Sequence, residues 1–151
     1  MSLRQVGARR SPRLRLLESV MVNANDAIVI TEAEPIDAPG PRVVYCNAAF
    51  THTTGFQPEE IIGRTPRILQ NANTCRETLD RIRQSLSVWQ PVEAELLNQR
   101  RDGSEFWVEV SIVPVANDSG FFTHWVAVQR DITDRRRAEE IERLLRDGSH
   151  R

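Results

Sequence analysis

Three runs, about 92–101, 104–115 and 121–132, alternate apolar and polar residues with a period of two and are separated by turn residues. Successive strands joined this closely have to pair antiparallel, because a parallel return needs a crossover of a dozen or more residues. Asp102-Gly103 reads as a tight hairpin turn and Asn117-Asp118-Ser119-Gly120 as a looser one. Upstream, Ala27-Ile28-Val29-Ile30-Thr31 and Arg42-Val43-Val44-Tyr45-Cys46 are β-branched runs. The loop between them carries Pro35, Pro39, Gly40 and Pro41, so they form a second hairpin with a long tip.

Between the two groups of strands lie short helical pieces over 47–70, punctuated by Gly55, by Pro58 at a first helical position and by Gly63. A longer helix opens on Thr74-Cys75-Arg76-Glu77, which has the form of a capping box. It runs to about Trp89 with Leu79, Ile82 and Leu86 on one face, and Pro91 ends it. The expected fold class is α+β: a five-stranded antiparallel sheet with short helices on one face. Terminal helices flank it: Leu14, Leu16, Leu17, Val20 and Met21 form an amphipathic stripe ending near Asn23–Asn25, and Ala138, Ile141 and Leu145 recur at a/d-like spacing. The chain divides into a basic segment and leading helix (1–22), a core domain (23–133) and a C-terminal, coiled-coil-like linker helix (134–151).

With 151 residues, 40% of them apolar, the chain is long enough for one core that also encloses a ligand. The net charge of −1 gives no global attraction to nucleic acid or acidic lipid, and Arg4, Arg9, Arg10, Arg13 and Arg15 read as a solvated end. Cys46 and Cys75, with His52, His124 and His150, lack metal-ligand spacing. No apolar run is long enough to span a bilayer and no leader peptide is evident, so a cytoplasmic protein with reduced thiols is expected.

The two-residue period also assigns faces. Val92, Ala94, Leu96 and Asn98 share one face of their strand; Phe106, Val108, Val110 and Ile112 share one of the next; Trp125, Ala127 and Gln129 share one of the last. Phe122, Val126, Val128 and Ile132 fall on the opposite face of that last strand, which therefore needs cover from terminal helices or a second subunit. Asn98 and Gln129 are amides in otherwise apolar rows, and a buried amide without a partner costs roughly 1–3 kcal/mol. Either backbone or water at a strand end satisfies them, or a ligand edge of alternating C=O and N–H does.

The stretches Asn47-Ala48-Ala49-Phe50-Thr51-His52-Thr53-Thr54-Gly55-Phe56, Gly63-Arg64-Thr65-Pro66-Arg67-Ile68-Leu69-Gln70, Leu96-Leu97-Asn98, Asp102-Gly103-Ser104-Glu105-Phe106-Trp107 and Val128-Gln129-Arg130-Asp131-Ile132-Thr133 resemble PAS domains. The resemblance covers about residues 22–134 and is to the light-oxygen-voltage branch, in which a G-R-N-C-R-F-L-Q motif lies beside a flavin that bonds to its cysteine under blue light. Carried over by position, the resemblance implies that Gln70 lies against the isoalloxazine, that Asn98 bonds its pyrimidine edge and that Gln129 faces N5 and O4. It implies that Arg67 binds a flavin phosphate and that Arg83 either does the same or is an exposed helical arginine. Three departures stand out: Pro66 replaces the reactive cysteine, Thr65 an asparagine, and Val108 a second flavin-edge asparagine.

The resemblance implies a flavin-binding sensory module without thiol photochemistry, holding FMN or alternatively FAD, not itself an enzyme. It would work as a homodimer and signal to an output domain in cis or to a partner protein. Trp89, Trp107, Trp125 and Tyr45 are candidate electron donors or packing residues. A cofactor-free dimerisation and relay domain is the alternative, and no acid/base set marks a flavoenzyme.

Overall fold

Strand pairing sets the frame. The computed structural model describes residues 25–148, so the basic segment and leading helix lie outside the described residues. Strands β1 (Ala27–Glu32), β2 (Val43–Cys46), β3 (Val92–Gln99), β4 (Glu105–Ala116) and β5 (Phe122–Asp131) form one sheet in the order β2-β1-β5-β4-β3, with every neighbouring pair antiparallel. The helices are α1 (Ala48–Thr54), α2 (Pro58–Ile61), a 3-10 helix (Pro66–Leu69), α3 (Arg76–Ser87) and α4 (Thr133–Gly148). The expected five-stranded α+β architecture is the one observed.

Local chemistry fixes the connections. Asn47 caps α1 by accepting the Phe50 N–H on Oδ1, and the same oxygen takes the Ile28 N–H, so one side chain ties the helix start to β1. Gly55 ends α1 in the left-handed conformation, and Pro58 opens α2. The expected two-residue turn at Asp102-Gly103 is instead a three-residue loop: Arg100 N–H bonds Ser104 C=O at 2.8 Å, and Gly103 N–H bonds Arg100 C=O with φ of 90° at the glycine. The loop at Asp118-Ser119-Gly120 repeats that geometry, closed by Asn117 N–H on Phe121 C=O.

The capping box expected at Thr74 does not form. Its hydroxyl donates to Leu97 C=O at 2.7 Å and accepts the Asn71 N–H, so it pins the chain to β3 while Cys75 takes the cap position of α3. The helix also stops earlier than expected, at Ser87, because Trp89 turns to φ 56°. A bulge at Thr123 brings a further correction. The pairing jumps from Val115 with His124 to Ala116 with Phe122, which reverses the expected face of Phe122. Phe122 stacks on Trp89, which stacks in turn on Trp125.

Two apolar clusters build the inner face. One joins Val29, Val43, Phe50, Ile61 and Leu69; the other joins Ile82, Leu96, Phe106, Val108 and Val110; Ala127 of β5 packs against both. On the outer face Ile28, Ile30, Val115 and Val126 form a third buried cluster. Further along that face, the first turn of α4 docks on Trp107. The Ile132 N–H bonds Trp107 C=O, Thr133 Oγ1 accepts the Trp107 N–H, and the Arg136 guanidinium lies 3.6 Å over the indole.

Candidate functional site

A cavity of about 450 Å³ opens where Ala127 separates the two inner clusters, within the usual range for small-molecule sites. Its apolar walls include Val29, Leu69, Leu96, Val110, Ile112 and Ala127. Five of the seven residues expected at a site line it: Arg67, Gln70, Arg83, Asn98 and Gln129. Thr65 and Val108 are not among the lining residues. Thr65 precedes the 3-10 helix and its C=O accepts the Ile68 N–H, while Val108 is fully buried in the β4 cluster.

Asn98 and Gln129 are both buried, at 4% and 6% exposure, and both carbonyl oxygens, Asn98 Oδ1 and Gln129 Oε1, lack any hydrogen-bond partner. Of the two readings open in the sequence, backbone satisfaction of these oxygens is absent. Each would cost roughly 1–3 kcal/mol if it stayed unpaired. Both residues line the cavity, so a molecule bound there brings hydrogen-bond donors beside these amides.

Pro66 starts the 3-10 helix, where a missing N–H is tolerated, and lines the cavity with carbon alone. Neither cysteine lines it. Cys46 is buried in the first cluster, and burial pushes its thiol up. Cys75 is exposed, and hydrogen bonding with the Thr78 side chain and backbone holds its thiol below the usual value. Among the described residues no cluster of metal-ligating side chains occurs, and no helix is long and apolar enough to cross a membrane.

Arginines gather at the mouth. Arg67 donates from Nη2 to Ile36 C=O at 2.7 Å and lies against Gly40, whose φ of 99° and lack of Cβ make room for it. Arg83 donates from both Nε and Nη2 to Asp37 Oδ1. The Arg83 guanidinium, through hydrogen bond and charge, holds the Asp37 carboxyl below the usual carboxylate range. The β1–β2 loop thus folds over the cavity, with Ile36, Asp37, Ala38 and Pro41 in its wall. Asp37 was not legible as a site residue, since a loop acid gives no periodic signal; its place between Pro35 and Pro39 in a stiff segment was the available hint. Where that loop leaves β1, Trp125 joins the wall, its indole N–H donating to Ala33 C=O at 3.0 Å.

A family profile described as a PAS domain matches residues 25–134. Blue-light-activated histidine kinase 1 of Erythrobacter litoralis is 37% identical over 129 residues, covering 83% of this chain and 35% of the relative. A nitrogen fixation regulatory protein of Klebsiella oxytoca is 35% identical over 118 residues, covering 78% of this chain and 23% of that protein. The chain therefore spans about a third or less of these relatives' length. Among solved structures, an RNA-binding light-oxygen-voltage receptor superposes with a TM-score of 0.74 at 31% identity, over 90% of this chain and 38% of that one. A light-oxygen-voltage domain from a flavin-analogue study gives 0.71 at 24% identity, over 93% and 99%.

Proposed function

The chain belongs to the PAS domain family and its solved neighbours include light-oxygen-voltage domains, and on that footing we propose that it is a flavin-binding sensory module that works without a cysteine bond to the flavin. One observation carries the reading: two residues whose buried amide oxygens lack partners line a cavity that arginines also line. In this reading Asn98 and Gln129 bind the pyrimidine edge, Gln70 rests against the ring, and Arg67 and Arg83 receive a phosphate. Thr65 is the chain neighbour of the lining Pro66, and Val108 packs in the cluster that includes the lining Leu96 and Val110. FMN is the first choice of cofactor and FAD the alternative.

A bound flavin supplies blue-light absorption and a reducible ring whose N5 changes its hydrogen bonding on reduction. Gln129 is placed to respond, since it sits on β5, two residues before Asp131, whose carboxylate accepts the Thr133 N–H at the start of α4. A rearranged amide on this strand biases the docking of α4, and through it a second copy or an output domain. The module itself performs no catalysis and acts in the cytoplasm as a homodimer. Val108, in place of a polar edge contact, favours a cofactor-free relay as the second reading.

An absorption spectrum of the isolated protein, followed by chromatography of released flavin, tests the proposal. A yellow protein releasing FMN or FAD is expected. Protein that stays colourless and gains no thermal stability after incubation with excess FMN and FAD would leave the cofactor-free relay.

A further inference from the structure

We propose that Asp37 is a specificity residue: its carboxylate takes the place of a ligand phosphate on Arg83, so that a phosphate-bearing ligand binds fully only when it exchanges with Asp37. This rests on the flavin reading and adds to it a group from the β1–β2 loop. Both donating nitrogens of Arg83 are directed to Asp37 Oδ1. Arg67 is drawn to the same loop by Ile36 C=O and also lowers the Asp37 carboxyl through its charge. Both arginines assigned to a phosphate are therefore engaged by the β1–β2 loop.

Carboxylate and phosphate compete for the same planar fork of donors, and a guanidinium cannot give the same N–H groups in full to both. The pair is exposed, with 62% of the Arg83 side chain and 75% of the Asp37 side chain accessible, so the ion pair is weak and exchange is cheap. The lasting effect is repulsion. Arg67, Arg76 and Arg83 face Asp37 and Asp80 at this end of the cavity, and a phosphate dianion arriving beside Asp37 meets a field that one carboxylate has reduced. A neutral ribityl end meets no such penalty. Asp37 thus narrows the gap in affinity between a phosphorylated flavin and the unphosphorylated one.

The test measures dissociation constants of riboflavin and FMN by fluorescence quenching, for the wild type, Asp37→Asn and Asp37→Asn with Arg83→Gln. Melting temperatures confirm that each is folded, as expected for exposed loop and helix positions. Asp37→Asn should tighten FMN about fivefold and leave riboflavin within about twofold, and the added Arg83→Gln should remove the gain. An equal gain for both flavins, or weaker FMN binding, overturns the role of Asp37 while leaving the flavin reading standing. Binding of neither flavin by any of the three overturns the flavin reading and this one with it.

Discussion

At the scale of single residues, the site is two amides held at a cost. Asn98 and Gln129 could be found from sequence because period two puts them in rows that otherwise belong to the core, and their unpaired oxygens now give that oddity a physical meaning. Gln129→Leu should stabilise the ligand-free protein by about 1 kcal/mol in urea denaturation, since it removes an unsatisfied group, while weakening flavin binding. Loss of ligand-free stability would mean that the amide already has a partner. Blue light should leave wild-type protein and flavin without a covalent link, because Cys46 is locked in a core cluster and neither thiol lines the cavity. Mass spectrometry of the illuminated, denatured protein checks this, and Pro66→Cys should gain the link. Asp37 and Trp89 could not be read from the sequence: a loop acid and a left-handed tryptophan depend on where the chain folds back, and local spacing does not encode that.

At the scale of elements, the existence of the last three strands and the facing of all but the Phe122 end of β5 were legible, because alternation over eight or more residues is a strong signal. Element ends were not. The end of α3 is set by the stack of Trp89 between Phe122 and Trp125, rings 5.1 and 5.2 Å away, and that tertiary contact overrides the expectation that the helix continues. It also yields an unusual mutational order. Trp89→Ala should destabilise by about 2–3 kcal/mol through lost ring packing. Trp89→Gly should cost about 1 kcal/mol less than Trp89→Ala, since glycine relieves the left-handed backbone.

The clasp of α4 on the sheet is the other element-scale device. Burial raises the Glu95 carboxyl, but hydrogen bonds from Arg135 and Arg136 outweigh it and leave it lowered. A carboxyl lowered by folding contributes stability that is present above its ordinary value, about pH 4.3, and is lost as pH falls through the folded value. Protection of amides in the first turn of α4, taken relative to the intrinsic exchange rate at each pH, should therefore fall as the pH is taken below about 4.3, and Glu95→Gln should remove that step. At neutral pH the same substitution should weaken docking by no more than about 1 kcal/mol, since the pair is partly exposed.

At the scale of the molecule, the question is what covers the remaining apolar surface. The sequence suggested the outer sheet face together with terminal stripes, but Ile28, Ile30, Val115 and Val126 are already buried and Phe122 faces inward, so the sheet carries less of the case than expected. The α4 stripe carries more. After its clasped first turn, α4 buries no residue, and Ile141, Leu144 and Leu145 are 58%, 58% and 68% exposed. A helix of 16 residues has little stability alone in water, so a partner that takes up this stripe accounts for both the helix and its pattern. Ala138, Ile141 and Leu145 fit the seam of a two-stranded coil with a second copy of the chain. Light scattering at micromolar concentration should give a dimer mass for the wild type and a monomer mass for the double substitution Ile141→Asp, Leu145→Asp. The cavity, lined by no residue of α4, should be untouched in that monomer. A wild-type monomer with an ordered α4 by amide exchange would remove the second copy as the cover of this stripe.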